Sequence, residues 1–326
     1  MKIYNKQEAA ERINRLAAAG EDFIFAISYD MNKAYVERVA DIDPGECLFN
    51  FRGTTNAPAG NKNEEKIKWD VNAPSLKEYA EGFNYVAEEL RGHRIDLINY
   101  TSKCGISTNL SLRDIFLSSR AMYRLWVKDE FVCFSPEIFI RIENGEISSY
   151  PMKGTISADI PDAEKLIMND PKEADEHEKV VALIKEDLAK VSNEVWVERY
   201  RYIDRLETNK GPILETSSEV RGKLPDDYNE HIGDILFAQL PAGSITGAPK
   251  EYVVEVIDKS EGYDRGFYTG VMGLYHDGSI DSSVMIRFLD NEDGKLFYKA
   301  GGGVTRNSEL EREYKEMIQK VYVPSH

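Results

Sequence analysis

Residues 135–155 read SPEIFIRIENGEISSYPMKGT, two β-rich segments separated by the turn signal Asn144-Gly145. Asn-Gly between alternating apolar residues is a strong hairpin signal, because both residues tolerate the left-handed conformation that tight hairpin turns need. The stretch therefore predicts a β-hairpin with Glu137 at its open end. Lys153 follows the second strand, between a proline and a glycine, where neither a helix nor a strand ladder hides its side chain.

The register of this hairpin decides whether Glu137 and Lys153 can meet. With a three-residue loop, Glu143 to Gly145, Glu137 faces position 151 and Lys153 is its diagonal neighbour, about 7 to 8 Å away between backbones. With a two-residue Asn-Gly loop, the two side chains fall on opposite faces. The sequence leaves both registers open. It also leaves open that both side chains are simply exposed charges at a hairpin base.

The composition excludes several classes of function. The 326 residues carry a net charge of −16, and binding to polyanions depends on a surplus of Lys and Arg, so we expect no nucleic acid and no membrane as a partner. No run of 18 apolar residues occurs, and Met1 to Gly20 read as a charged amphipathic helix rather than a signal peptide. Cys47, Cys104 and Cys133 are too scattered for a disulfide framework or a zinc site, which predicts a cytoplasmic protein.

The order of predicted elements indicates one compact α/β body. A helix and a β pair open the chain, strand character returns at 95–101 and 124–134, and a further strand is predicted over 282–289. No internal repeat is present. We assign residues 1–90 to the N-terminal part of this body and residues 91–326 to the region that carries the motifs below.

Two predicted helices each carry a Glu-x-x-Glu pair on one side. The first has Asp170 as its N-cap, and the last is predicted to have Ser308 as its N-cap. Four carboxylates buried together would repel one another without a cation, so we expect a hard divalent ion, for which Mg²⁺ is the best match. The alternative is that these acids only interact with the positive end of the helix dipole, which stabilises the helix by about 0.3 to 1 kcal/mol for each acid. The four acids are Glu173, Glu176, Glu313 and Glu316.

Three further stretches carry chemical content. Residues 243–250 (GSITGAPK) form a small-residue loop that opens a helix and could hold a carboxylate on backbone N–H groups. Arg287 lies among apolar neighbours, where a guanidinium needs an anion or an acidic partner. Residues 301–303 are three glycines that we expect to turn a strand into the last helix and to let a ligand approach the backbone.

Together these motifs resemble the chorismate-utilising enzymes, the family of anthranilate synthase component I, aminodeoxychorismate synthase component I, and the isochorismate and salicylate synthases. The resemblance covers residues 93–326 well and the first 90 residues loosely. It implies an α/β (α+β) fold in which mixed and antiparallel β-sheets pack as a sandwich with helices outside. The motifs that carry it are Ser-Pro-Glu137, Pro-x-Lys153-Gly-Thr, Lys-Glu173-x-x-Glu176-His177, the loop ending in Lys250, Arg-Gly-x-Tyr268-x-Gly, Ile-Arg287, Gly-Gly-Gly303 and Glu313-x-x-Glu316.

Lys153 carries the finer resemblance. Anthranilate synthases have alanine at this position of the Pro-x-x-Gly-Thr block, whereas aminodeoxychorismate synthases have lysine. The resemblance therefore implies that Lys153 attacks C2 of chorismate while Glu137 acts as general acid on the departing 4-hydroxyl. Ammonia then adds at C4 and expels the lysine. The chain shows no cysteine in an amidotransferase pattern, so the ammonia is expected from a glutamine amidotransferase partner.

The resemblance also assigns ligands. Glu173, Glu176, Glu313 and Glu316 would hold Mg²⁺ against the ring carboxylate. The residues expected to bind the substrate are Ser244, Thr246, Gly247, Lys250, Tyr268, Arg287, Gly301, Gly302, Gly303 and Lys320. Positive side chains and a metal facing a dianion match its charge, and such groups act most strongly in a pocket that excludes water.

Three features depart from the family pattern. Glu215 stands where relatives often have a histidine, and residues 185–189 read KEDLA where many relatives have RNDLG. The N-terminal region lacks a recognisable tryptophan-pocket motif, which leaves tryptophan inhibition in doubt. Two other functions stay open: anthranilate or isochorismate formation on the same fold, and a catalytically silent chorismate-binding protein. The presence of Lys153, Glu137 and all four glutamates argues against the silent protein.

Overall fold

The structure is a computed structural model that describes residues 1–58, 68–208 and 211–322. Within these ranges, no helix has both the length and the apolar character needed to cross a bilayer. The α-helices of the described ranges are α1 (Lys6–Ala18), α2 (Leu76–Arg91), α3 (Leu112–Ser118), α4 (Ala163–Asn169), α5 (Pro171–Ala189), α6 (Ile232–Ala238), α7 (Lys250–Glu261) and α8 (Leu310–Gln319).

The strands form two sheets. In chain order the described strands are β1 (Ile3–Tyr4), β2 (Phe23–Ile27), β3 (Ala34–Arg38), β4 (Cys47–Phe51), β5 (Thr54–Thr55), β6 (Trp69–Asn72), β7 (Leu97–Thr108), β8 (Tyr123–Val127), β9 (Phe131–Ser135), β10 (Ile138–Glu143), β11 (Glu146–Ser149), β12 (Met152–Ser157), β13 (Glu194–Thr208), β14 (Gly211–Lys223), β15 (Gly247–Ala248), β16 (Val271–His276), β17 (Ser279–Val284), β18 (Phe288–Glu292) and β19 (Lys295–Val304). The first sheet has the order β1-β3-β2-β16-β17-β10-β11-β14-β12, with β13 also paired to β14. The second has the order β15-β7-β19-β18-β9-β8-β4-β5, with β6 paired to β7. N-terminal strands therefore join both sheets.

The two sheets pack face to face, with helices on their outer surfaces. The core between the sheets contains Met272 from the first sheet and Phe49 and Phe288 from the second, all at most 1% exposed. A second core lies between the first sheet and α1, α5 and α6, and a third between the second sheet and α2, α3, α7 and α8. The predicted α+β sandwich with outer helices is confirmed. Cys47, Cys104 and Cys133 are buried free thiols.

Two sequence expectations about strands are wrong. The predicted strand 282–289 is two strands, β17 and β18, which belong to different sheets. The chain changes sheets between them at Arg287, whose φ of 53° is in the left-handed region. The three glycines 301–303 do not turn the chain. They lie inside β19, opposite Thr101, Tyr100 and Asn99 of β7, because three residues without a Cβ fit a closely packed strand pair.

Helix starts also differ from expectation at two places. The first helix begins at Lys6, capped by Asn5, and Ile3 lies outside it in β1. The last helix has Glu309 rather than Ser308 at its N-cap position, and Glu309 makes no side-chain cap. Ser308 instead accepts a hydrogen bond from the backbone N–H of Thr305 (3.2 Å), so its hydroxyl closes the preceding turn.

Candidate active site

The β-hairpin of residues 138–149 has the shorter of the two possible loops. Glu143 pairs with Glu146, and the loop residues Asn144 and Gly145 have φ of 53° and 77°. We expected this register to place Glu137 and Lys153 on opposite faces, but it does not extend to either residue. β10 pairs with β11 only as far as Arg141, and β12 pairs with β14 instead. The sheet therefore opens between β10 and β12.

Glu137 lies at this opening, just before β10. Its carbonyl oxygen accepts a hydrogen bond from the Ser283 hydroxyl (2.7 Å), which holds the backbone against β17. Burial raises the pKa of its carboxyl, although the hydrogen bond from Ser244 and the nearby charges of Lys153, Arg287 and Lys320 act to lower it. A carboxyl with a raised pKa stays protonated closer to neutral pH, so Glu137 can donate a proton.

Lys153 reaches from the first sheet towards the second. Its carbonyl oxygen accepts a hydrogen bond from the Thr216 hydroxyl. A shift in register follows it at Gly154, whose φ is 76°. A Cβ built on Gly303 would lie 3.4 Å from the Lys153 Nζ. The Lys153 amine thus lies against Gly303 of β19. Glycine leaves room for the amine at this position because it has no side chain.

The acids of α8 face the same glycines. A Cβ on Gly302 would lie 3.5 Å from Oε1 of Glu316 and 3.7 Å from Oε2 of Glu313. Lys320 bonds to Glu316 (2.8 Å) and donates to the Gly301 carbonyl (2.9 Å). Burial and the Glu316 charge raise the pKa of Glu313, against a hydrogen bond from Ser308. Burial opposes ionisation of Glu316, but Lys320 outweighs it and the pKa of Glu316 is lowered.

The acids of α5 lie near β12 and a neighbouring cleft. Oε2 of Glu173 would lie 3.0 Å from a Cβ on Gly154, the residue after Lys153. Glu176, one turn further along α5, lines a cleft of about 410 Å³ between α5, Ala248 and the segment Thr305–Asn307. Leu97 lines this cleft and also lies next to Gly303, so the cleft adjoins β19. Glu173 therefore lies beside β12, and the acid pair of α8 lies beside β19.

The four glutamates fit a hard cation by chemistry, since all are carboxylates and two of them share the space above Gly302. They do not form a closed cluster, because no three of them bring oxygens within 4.8 Å of one another. Glu316 forms an ion pair with Lys320 (2.8 Å). The one group of three or more potential ligands that meets this distance in the described ranges is Asp22, His276 and Asp277.

The structure does not bring all predicted substrate residues to Glu137 and Lys153. Lys250 forms an ion pair with the buried Asp187 (2.5 Å) on α5. The Thr246 hydroxyl donates to the Ala242 carbonyl (2.8 Å), and a Cβ on Gly247 would collide with Leu97 O at 2.1 Å. These three positions shape the loop. The predicted residues whose groups do lie near Glu137, Lys153 or β19 are Ser244, Arg287, Gly301, Gly302, Gly303 and Lys320.

Tyr268 is a buried neighbour of this group. It is 2% exposed and packs against Phe288 with ring centroids 6.0 Å apart. Burial raises the pKa of its hydroxyl, and the charges of Arg265 and Arg287 act to lower it. The neutral hydroxyl of Tyr268 can donate a hydrogen bond on the side of the site where Arg287 lies.

Sequence reasoning missed two interactions of α5. Asp187 falls within the apolar stripe of the helix, a signal that it has a buried cationic partner, and Lys250 is that partner. His177 is fully buried, and its Nε2 lies 2.6 Å from the Ser218 hydroxyl. Burial, with the charges of Arg201 and Lys153, lowers the pKa of His177 to about 4, so the imidazole is neutral. The burial of both follows from helical periodicity, but their partners are distant in sequence.

Comparisons with known proteins identify the family of this chain. The sequence profile of the family described as "chorismate binding enzyme" matches residues 6–325. A Pasteurella multocida protein named "uncharacterized PabA-like protein" is 40% identical over 96% of this chain and 97% of its own length. Aminodeoxychorismate synthase component 1 of Salmonella typhimurium is 36% identical over 91% of this chain and 67% of its own length.

A solved structure supports the fold. The structure of MenF, the menaquinone-specific isochorismate synthase of Escherichia coli, superposes with a TM-score of 0.76 over 98% of this chain and 82% of that one, at 14% identity. At this identity the likeness concerns the fold alone. The family match over nearly the whole chain and the full-length relatives lead to one conclusion: this protein belongs to the chorismate-binding enzyme family.

Proposed function

We propose that this protein is an aminodeoxychorismate synthase component I, which converts chorismate and ammonia into 4-amino-4-deoxychorismate in the cytoplasm, for 4-aminobenzoate and folate synthesis. One observation carries the proposal. The amine of Lys153 lies against Gly303 of the opposite sheet, and its positive charge acts on the buried carboxyl of Glu137. An amine and a carboxyl near one opening in the sheet support a reaction that uses a nucleophile and an acid. The likeness to the Salmonella typhimurium enzyme supports the same reaction.

The two side chains have complementary tasks. The Lys153 amine forms a bond to C2 of chorismate, the ring double bond shifts, and the 4-hydroxyl leaves as water with a proton from Glu137. Glu137 suits this task because burial raises the pKa of its carboxyl. Ammonia then forms a bond to C4, and the C2–N bond breaks to return the free lysine.

Charged groups at β19 and α8 would hold the substrate. Chorismate is a dianion, and Lys320 and Arg287 supply two positive charges beside Glu137. Glycines 301–303 keep side chains out of the space between them. Glu173, Glu176, Glu313 and Glu316 would hold Mg²⁺, which neutralises a ring carboxylate when bound. We expect Glu316→Gln to lower activity strongly without unfolding the protein, and activity to be lost in EDTA.

The proposal includes a second protein. The three cysteines, Cys47, Cys104 and Cys133, are all buried, so none of them is placed to hydrolyse glutamine at the surface. We therefore propose that a glutamine amidotransferase supplies ammonia. The isolated chain is expected to use ammonium salts and not glutamine. Turnover of glutamine by this chain alone would contradict the partner.

The test is the covalent intermediate on Lys153. The enzyme is mixed with chorismate and Mg²⁺ without ammonia, quenched rapidly, and its intact mass is measured. We expect a species heavier by chorismate less one water, which peptide mapping places on Lys153. Lys153→Ala should give no adduct and no product, whereas Lys165→Ala, a change at a 78% exposed lysine, should behave as wild type.

Product analysis separates this function from its alternatives. Anthranilate or isochorismate as the product, with chorismate and ammonium supplied, would show another reaction on the same fold. Binding of chorismate without any product would show a silent protein. Normal synthesis of aminodeoxychorismate by Lys153→Ala would refute the nucleophile and leave Lys153 as an electrostatic group.

A further inference from the structure

Glu215 lies beside the proposed nucleophile. It belongs to β14, where its neighbour Thr216 pairs with Lys153 of β12 and Glu215 itself pairs with Thr155. The Thr155 hydroxyl donates a hydrogen bond to Oε1 of Glu215 (3.2 Å). This hydrogen bond uses one of the two carboxyl oxygens and orients the side chain towards β12.

Two acids and one arginine act on the carboxyl of Glu215. Asp204 of β13 is its cross-strand partner on the other side of β14. Burial raises the pKa of Glu215, the charges of Glu137 and Asp204 raise it further, and Thr155 and Arg287 act to lower it. Glu137 and Glu215 thus interact through the opening between β10 and β12. A negative charge on one of these carboxyls therefore disfavours ionisation of the other.

The proposed reaction needs two proton transfers of opposite direction. Glu137 gives up a proton when the 4-hydroxyl leaves, and the ammonia that bonds to C4 must lose one. Glu137 becomes a carboxylate in the first step. A separate acceptor allows the proton of the incoming ammonia to leave its nitrogen directly. Glu215, whose charge acts together with that of Glu137 and whose neighbour Thr216 pairs with Lys153, is a second carboxyl that can do this, in the way that paired acids divide acid and base tasks in other enzymes.

We infer that Glu215 is the base that accepts the proton from the incoming ammonia, while Glu137 is the acid for the departing hydroxyl. This inference rests on the proposed function. In the second half of the reaction the ammonia lone pair forms the N–C4 bond, and the C2–N bond to Lys153 breaks with its electron pair on the lysine nitrogen. The ammonium on C4 gives one proton to Glu215. Transfer of that proton from Glu215 to Glu137 restores the starting state, so chorismate and ammonia become aminodeoxychorismate and water.

The same placement accounts for the departure from the family pattern. The histidine that the resemblance leads us to expect at this position is also a proton acceptor near neutral pH. Glu215 keeps that capacity with a carboxyl. The substitution therefore conserves a proton acceptor while changing its charge.

The test uses the accumulation of the Lys153 adduct. Wild-type enzyme with chorismate, Mg²⁺ and ammonium should carry little adduct, because ammonia removes it. Glu215→Gln should form the adduct at the wild-type rate without ammonia but retain it when ammonium is added, with turnover lowered about 100-fold, within the range that general-base catalysis contributes. Glu215→His should release the adduct and restore most of the turnover.

Controls make the outcome decisive. Glu198→Gln, a neutral change at an exposed acid of β13, should match wild type in both halves of the reaction. If Glu215→Gln fails to fold, Glu215→Asp gives the same readout, with partial loss of the second half alone. The inference is overturned if Glu215→Gln clears its adduct at the wild-type rate, or if adduct formation without ammonia falls as much as turnover. If wild type makes no aminated product, the proposed function itself is wrong.

Discussion

Gly302→Ala adds one methyl group to the space that the charged groups of the site share. A Cβ on Gly302 would lie 3.3 Å from Lys320 Nζ, 3.5 Å from Glu316 Oε1 and 3.7 Å from Glu313 Oε2. All three atoms end flexible side chains, which can move by a few tenths of an ångström. The methyl group therefore fits the folded protein but fills the space in which we expect the substrate carboxylate and the metal.

Gly301→Ala is the matched contrast one residue earlier in the same strand. Its Cβ would lie 2.3 Å from the carbonyl oxygen of Tyr100 and 2.7 Å from the Cα of Thr101. These are backbone atoms of β7, and they cannot move without separating β7 from β19. The two variants thus separate two effects. Gly302→Ala should lower activity, and Gly301→Ala should lower the stability of the fold.

The expected magnitudes follow from these distances. Gly302→Ala should change the free energy of unfolding by less than about 1 kcal/mol, because restricting the unfolded chain offsets slight crowding. Overpacking against backbone should make Gly301→Ala cost about 1–3 kcal/mol or more. In kcat/KM for chorismate, Gly302→Ala should lose at least about 100-fold, which corresponds to about 2.7 kcal/mol of transition-state stabilisation.

The assay pairs urea unfolding with steady-state formation of the aminated product. Wild-type kcat/KM in Gly302→Ala would show that nothing binds between Lys320, Glu313 and Glu316. An equal loss of unfolding free energy in Gly302→Ala and Gly301→Ala would show that both glycines serve only the packing of β19. Either result would refute the placement of the substrate site at this strand.

Two other predictions concern Glu137 and a buried ion pair. Activity should fall as the pH rises through the raised pKa of Glu137, because the acid loses the proton that it donates. Glu137→Gln should abolish this fall at high pH and lower kcat by about 10²–10⁴-fold. An unchanged pH profile in this variant would contradict the assignment. Arg265 and Glu261 bond at 2.6 Å with side chains 2% and 1% exposed, so Arg265→Met should cost about 3–5 kcal/mol by leaving a buried charge. Adding Glu261→Met should recover part of that loss in urea unfolding, and a double variant less stable than Arg265→Met would refute this explanation.

The sequence by itself determined the elements that depend on neighbours along the chain. Helix α2 begins after Ser75, where a serine and a glutamate three residues later cap each other, and α5 begins at the proline that follows Asp170. The Asn144-Gly145 turn forms because these residues tolerate positive φ. The motifs also identified Lys153 and Glu137 as a candidate pair, since the types and order of residues are properties of the sequence.

Only the tertiary structure decided where these residues meet. Lys153 reaches Gly303 because β12 pairs with β14 at the edge of one sheet while β19 lies inside the other. The break at Arg287 and the pairing of Lys250 with Asp187 depend on which sheets and helices pack together. Local propensity acts over a few residues, whereas these contacts join residues tens to hundreds of positions apart. Their geometry is set by sheet order, register and the packing of the cores between the layers.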